Sequence, residues 1–187
     1  MPRITKAYTG NGDEGCTNIG SGERVRKSDA RINACGTVDE LNSYLGIINA
    51  LQLSNKVKKA MSKVQNDLFI LGSDLCFTQE YKKKTPVPVI EERHIKGIEA
   101  IISRISGCLK PLKNFIIPSG SIQASHLQYA RTVCRRAERE VVALSERDEV
   151  NPEAIKYLNR LSSLLYQSAR YENKRQGINE KYWDSRA

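Results

Sequence analysis

The chain has 187 residues, 40% of them hydrophobic and 27% charged, with a formal net charge of +9 at pH 7. That length suits one domain with a sizeable core, and the composition is that of a soluble globular protein rather than a disordered or fibrous one. No apolar run approaches the roughly 20 residues that span a bilayer. Met1-Pro2-Arg3-Ile4 leads straight into polar sequence without an apolar h-region or presequence, so the expected location is the cytoplasm.

Residues 1–29 are polar and rich in Gly, Ser, Thr and Asn, and read as loop. Helical periods follow. Thr37-x-x-Glu40 has capping-box spacing, with Leu41, Leu45 and Ile48 on one face. A second helix, Val57 to Phe77, carries Val64, Leu68, Leu71 and Leu75. Residues 80–88 read as a basic, proline-bearing connection, and Ile90 to Cys108 as a third helix with Ile95, Ile98, Ile102 and Ile105. Pro111 to Gly120 interrupts the pattern around Phe115-Ile116-Ile117. A long helix from about Ser121 to about Leu144 would measure roughly 36 Å. Asn151-Pro152-Glu153 starts the last helix, with Asn as cap, Pro in the first turn and an acid at the positive end. That helix reaches Arg175 and stops near Gly177. No strand-like alternation persists. The expected fold is all-α: a single domain over residues 1–187, with an N-terminal loop (1–29), a bundle of five helices (30–177) and a tail (178–187).

The excess positive charge admits nucleic acid, nucleotide phosphate or plain solubility as its reason. Lys56, Lys58 and Lys59 sit near a helix start, and Lys82, Lys83 and Lys84 in a connection. Aromatic residues are not interleaved with them as base stacking requires, which favours a solvated surface over a nucleic-acid groove. The five cysteines, Cys16, Cys35, Cys76, Cys108 and Cys134, show no C-x-x-C spacing, so no disulfide framework or zinc site is indicated. Cys76, Cys108 and Cys134 read as small core side chains. With only His94 and His126, no histidine metal cluster is expected, and no metal ligands are assigned.

Three segments carry candidate chemistry. Gly10-Asn11-Gly12-Asp13-Glu14-Gly15 matches G-x-G-x-x-G but lacks the preceding strand and following helix of a dinucleotide site. Two readings stay open: a mobile terminus, or an anion-binding concavity of backbone N–H groups, helped by Thr9, Thr17 and Lys27. In the long helix Arg131, Arg135 and Glu138 share a face, with Arg136 and Arg139 beside them and Val133, Ala137, Val141 and Leu144 opposite. Guanidinium forks hold phosphate bidentately, although i,i+4 pairs such as Arg136–Glu140 would equally suit a solvated face. Asp39, on another helix, is a natural partner for one of these arginines. Asn159 could read a nucleoside edge or satisfy backbone, and Phe115 could be core or line a pocket.

Together these segments resemble the ATP:cob(I)alamin adenosyltransferases of the propanediol-utilisation type, the family that includes the human methylmalonic-aciduria type B enzyme. The resemblance rests on six ordered motifs: Tyr8–Gly15, Ser21–Val25, Gly36–Ser43, Phe115–Gly120, Arg131–Arg139 and Asn159–Ser162. It implies a five-helix bundle with an ordered N-terminal glycine-rich loop, assembled as a homotrimer with active sites between subunits. It implies ATP, Mg²⁺ and cob(I)alamin, and transfer of the 5′-deoxyadenosyl group to cobalt with release of triphosphate. By motif, Thr9, Gly10, Asn11, Gly12, Thr17 and Lys27 would hold the triphosphate. Arg135, Arg136, Glu138 and Arg139 would complete the ATP site, with Asn159 near the nucleoside. Asp39 and Arg131 would pair across the subunit boundary and, with Arg135, carry the catalysis. Phe115 would face the lower side of the corrin and exclude its dimethylbenzimidazole ligand. Transient contact with a cob(II)alamin reductase and with an adenosylcobalamin-dependent enzyme is implied as well, with neither nucleic acid nor membrane as partner.

The chain departs from the family pattern at Gly10 and Asn11, at Glu14 where Lys is usual, at Cys35 where an aromatic is common, and at Ser163 where Asp often stands. An acid at position 14 would repel triphosphate unless turned outward. Two alternatives compete: a non-catalytic basic helical protein that binds nucleotide or nucleic acid, with steep salt dependence, and a nucleotide-binding bundle without corrinoid activity. Tyr182-Trp183 could close over the corrin or form a packed tail.

Overall fold

The structure is a computed structural model and describes residues 10–186. A short antiparallel hairpin, β1 (Cys16–Asn18) and β2 (Arg24–Arg26), precedes α1 (Ala30–Ala50), α2 (Asn55–Cys76), α3 (Gln79–Lys84), α4 (Glu92–Ser106), α5 (Ile122–Ser145) and α6 (Pro152–Arg175). The five long helices are those that the apolar periods foretell. The hairpin and the six-residue α3 are not.

Each long helix buries a stripe in one shared core. α1 contributes Ala34, Val38, Leu41, Leu45 and Ile48, and α2 contributes Met61, Val64, Leu68, Leu71 and Leu75. α5 adds Ala130, Val133, Ala137, Val141 and Leu144, and α6 adds Leu158, Leu161, Leu164 and Leu165. Each Val, Leu, Ile or Met among them contributes about 1.5–3 kcal/mol relative to exposure. α5 is the central element, packed against α6 and α1, while α2 leans on α1 and α4 on α6.

The helix starts are fixed by short polar caps. Asp29, Ser54, Thr78, Ser121 and Asn151 each accept a backbone N–H from the first turn that follows. Thr37 caps nothing. Asp29 takes the Arg31 N–H at 2.8 Å, so α1 begins seven residues before Thr37, whose hydroxyl donates to Asn33 O at 2.9 Å inside the helix. α3 arises in the expected connection because Thr78 caps it and Lys84 reaches Glu80 one turn back, at 2.7 Å. The hairpin escapes sequence reading because three-residue strands are too short to display alternation. Its tip docks on the end of α2: Gly20 N–H donates to Cys76 O at 2.9 Å, and Ser21 Oγ accepts the Thr78 N–H at 2.8 Å.

Buried polar ties close the ends of the bundle. Glu172, fully buried, accepts the Ser54 N–H at 2.9 Å and Arg175 Nε at 3.1 Å, joining α6 to the start of α2. Asp74, 2% exposed, accepts the Ile90 N–H at 2.9 Å and the Asn151 amide at 2.7 Å, and pairs with Lys82. One carboxylate thereby holds α2, α3, the approach to α4 and the start of α6. Removing it strands the half-buried Lys82 ammonium and the Ile90 N–H, which costs about 3–5 kcal/mol. Asp74→Ala is therefore expected to lower the urea midpoint sharply. An unfolding free energy within about 0.5 kcal/mol of the parent would refute this role.

Candidate active site

The arginine face of α5 is the first element of the site. Burial of Val133, Ala137, Val141 and Leu144 against the bundle turns Arg135 and Arg139 outward. Arg135, Glu138, Arg139, Val142, Ala143, Glu146 and Asn159 line an open cleft of about 380 Å³ between α5 and α6. Across it the Asn159 amide donates to Glu138 Oε1 at 2.9 Å, while Asn159 Oδ1 accepts Arg160 at 3.0 Å. Both ends of the Asn159 amide are thus held, and Glu99 fixes Arg160 at 2.8 Å.

The arginines of this helix divide into two sets. Arg136 pairs with Glu40 of α1 rather than with Glu140, and Arg131 donates to Gln128 at 2.8 Å. Arg135 and Arg139 make no hydrogen bond or ion pair with any described residue. Their charge is therefore available to an anion.

The glycine-rich loop is folded. The chain turns twice, with Asp13 N–H donating to Gly10 O and Gly15 N–H to Gly12 O, each at 3.2 Å, and with φ of 72° at Gly10 and 75° at Gly15. Lys27 N–H donates to Gly15 O at 2.9 Å, and its ammonium crosses Gly12 so closely that a Cβ there would stand 2.9 Å from Nζ. Thr17 is half-buried in β1, and Asn11 is exposed on the loop. Glu14 is turned outward: its carboxylate is 86% exposed and meets Arg24 at 3.4 Å. Thr9 lies outside the described residues.

Asp39 lies elsewhere. It is exposed on α1 and lines a different cleft, of about 310 Å³, with Cys35, Asn42, Phe69 and Cys76. No described residue of the same chain pairs with it, Arg131 included. Phe115 is 76% exposed in the segment between α4 and α5. The tail pairs with that segment: Trp183 N–H donates to Phe115 O and Ile117 N–H to Lys181 O, each at 2.8 Å. Trp183 meets the Phe115 ring edge-on at 6.4 Å between centroids, so the tail is packed and its aromatic pair stays open to solvent.

The structure thus brings Arg135, Glu138, Arg139 and Asn159 together, and Gly12 with Lys27, while Asp39 and Phe115 occupy separate surfaces. Val142 and Glu146 of the arginine cleft were not singled out by sequence. Their spacing from Arg135 and Arg139 (i+7 and i+7) places them on the same helical face, and that periodicity was the available signal.

Comparison with known proteins agrees across most of the chain. The family model for cobalamin adenosyltransferase matches residues 7–172. A cobalamin adenosyltransferase of Cupriavidus metallidurans is 37% identical over 182 residues, covering 97% of this chain and 95% of the relative. The human corrinoid adenosyltransferase MMAB is 37% identical, covering 97% of this chain and 74% of that protein. Among solved structures, a variant PduO-type ATP:corrinoid adenosyltransferase from Lactobacillus reuteri, complexed with cobalamin and ATP, superposes with a TM-score of 0.89 at 31% identity, covering 96% of this chain and 100% of the other. The chain belongs to the cobalamin adenosyltransferase family, and its activity is that of a corrinoid adenosyltransferase.

Proposed function

We propose that the cleft between α5 and α6 receives ATP, and that Arg135 and Arg139 hold its triphosphate against the folded loop of Gly10, Asn11, Gly12, Thr17 and Lys27, with Thr9 preceding it. The observation that carries this reading is the pair of uncommitted guanidinium groups beside a positioned Glu138–Asn159 pair. Arg136 supports the site from behind through Glu40. Asn159, pinned at both ends of its amide, presents a fixed polar edge to the nucleoside. The protein acts here as a single domain, in the cytoplasm.

Cob(I)alamin is a strong nucleophile, so the transfer needs no serine, cysteine or histidine nucleophile and no general base. Cobalt attacks the ribose C5′, the C5′–O bond breaks, and its electron pair leaves on the triphosphate. The protein contributes alignment of C5′ with cobalt and stabilisation of charge on the departing phosphate. Mg²⁺ bound with the nucleotide would neutralise triphosphate charge, and Glu138 and Glu146 are the carboxylates in the cleft that would hold it. Phe115 offers an apolar face to the lower side of the corrin, which disfavours the cobalt's lower ligand and eases reduction to cob(I).

Asp39 and the arginine cleft lie on different surfaces of one chain. This supports assembly as a homotrimer in which Asp39 of one subunit anchors Arg131 of the next, so that each site is completed between subunits. The exposed Phe69 beside Asp39 is suited to burial in that contact. Delivery of the electron and acceptance of the product would fall to a cob(II)alamin reductase and an adenosylcobalamin-dependent enzyme.

One assay tests these roles: ATP, Mg²⁺ and chemically reduced cobalamin, followed by the absorbance of adenosylcobalamin. Arg135→Ala is expected to lower turnover by roughly 100-fold with an unchanged circular dichroism spectrum. Near-parental turnover would remove Arg135 from the site. Phe115→Ala is expected to keep ATP affinity and to lose about tenfold in adenosylation rate, or roughly 1.4 kcal/mol, and an unaltered rate would count against the corrin-facing role. Asp39→Arg and Arg131→Asp should each dissociate the assembly by light scattering, and the double variant should restore both mass and activity. Single variants that stay fully assembled and active would overturn the anchor.

A further inference from the structure

Two of the five cysteines face one another. Cys35 lies on α1 and Cys76 is the last residue of α2, and both are partly buried in the wall of the cleft that holds Asp39. The two thiols share one wall of that cleft, near enough for each to bear on the other's ionisation. Cys76 Sγ also accepts the Gly20 N–H of the docked hairpin at 3.1 Å. Arg31, one turn before Cys35 on α1, donates to Leu75 O at 2.6 Å and places its positive charge close to both sulfurs.

We propose that Cys76 and Cys35 form a reversible dithiol site for hydroperoxides, closing to an intrachain disulfide that ties α1 to the end of α2. Three neighbours favour a thiolate at Cys76. The neighbouring Cys35 thiol favours its charged form, the Gly20 N–H donates to it at 3.1 Å, and Arg31 attracts it, so its pKa is held below the ordinary thiol range. Cys35 is shifted the opposite way, by the neighbouring Cys76 and by burial, and keeps its proton. The pair therefore sets a nucleophile and a protonated resolving thiol side by side in one cleft wall.

The Cys76 thiolate attacks one oxygen of hydrogen peroxide and the O–O bond breaks. The leaving hydroxide takes up a proton and departs as water, leaving Cys76 as a sulfenic acid. Cys35 Sγ then attacks Cys76 Sγ. The S–O bond breaks, the S–S bond forms, and the expelled hydroxide leaves as a second water with the Cys35 proton. Two thiols and one peroxide give one disulfide and two waters, and a dithiol reductant reverses the change.

The remaining cysteines serve as internal controls. Cys134 is fully buried, and burial pushes its pKa up. Cys108 donates to Arg104 O at 3.4 Å and accepts Lys56 Nζ at 3.8 Å, and Cys16 lies on β1. A paired thiol in this position is more than a small core side chain, because a core role requires neither the Gly20 donor nor the nearby guanidinium.

The test is treatment of the full protein with stoichiometric hydrogen peroxide, alkylation of free thiols, proteolysis and mass spectrometry. The expected product is a cross-linked peptide pair joining Cys35 to Cys76, lost on treatment with dithiothreitol. In Cys35→Ser the sulfenic acid should persist at Cys76 and be captured by dimedone, whereas Cys76→Ser should leave Cys35 unlabelled. Absence of the cross-link in the parent protein, or dimedone labelling of Cys16 and Cys108 equal to that of Cys76, would overturn the proposal.

Discussion

Two unpaired guanidinium groups one turn apart on α5 are the constraint around which the rest of this bundle is arranged. Like charges at i and i+4 destabilise an isolated helix by about 0.2–0.5 kcal/mol. Arg135 and Arg139 nevertheless remain free of carboxylate partners among the described residues, in a chain that pairs Arg136, Arg160, Arg170 and Arg175. The opposite face of α5 compensates: it lies against both α1 and α6 and buries Val133, Ala137, Val141 and Leu144. The helix that bears the least favourable surface is thus the one most firmly held by the core. A peripheral helix such as α4, packed mainly on α6, could not carry that charge as securely.

The same logic separates the polar groups that hold the fold from those left to the site. Asp74 and Glu172 are buried and saturated with donors, and Arg31 and Arg170 are buried with their forks engaged by backbone and carboxylate. Around the cleft the pattern inverts. Glu138 and Asn159 hold one another, Arg136 is drawn back to Glu40, and only the groups turned outward lack partners. Glu14 follows this division as well, since its exposed carboxylate meets Arg24, while Lys27 lies against Gly12, the residues proposed to meet phosphate.

How much of this could be read in advance depends on the range of the interaction. The apolar stripes of α1, α2, α5 and α6 are local, and so were legible, as was the Asn151-Pro152-Glu153 start of α6. The clustering of Arg135, Glu138 and Arg139 was legible for the same reason, because helical spacing alone gathers them. The hairpin was hidden because its strands are stabilised by docking onto α2 through Gly20 and Ser21 rather than by their own pattern. Thr37 misled because capping-box spacing recurs inside helices, where the hydroxyl simply returns to the preceding turn. Arg136 misled because a helix wheel cannot show that Glu40, 96 residues away in sequence, outcompetes Glu140.

The proposed inter-subunit site follows from where the remaining groups point. Asp39 stands one turn beyond Cys35 on α1, in a cleft whose other wall is α2. The arginine cleft is walled by α5 and α6. No rotamer change joins two clefts built on different helix pairs, because the helices between them are locked in one core. On the proposed reading, each chain therefore carries two half-sites facing different ways, an arrangement that closes only by heterologous contact with a rotated copy. Rigidity within the subunit then becomes a means of catalysis: the α5 arginines keep their geometry because the core fixes them, and the corrin and nucleotide are aligned by how two rigid bodies meet. That division also gives the hairpin its place, since docking on Cys76 and Thr78 fixes the glycine-rich loop to the α2 end of its own subunit.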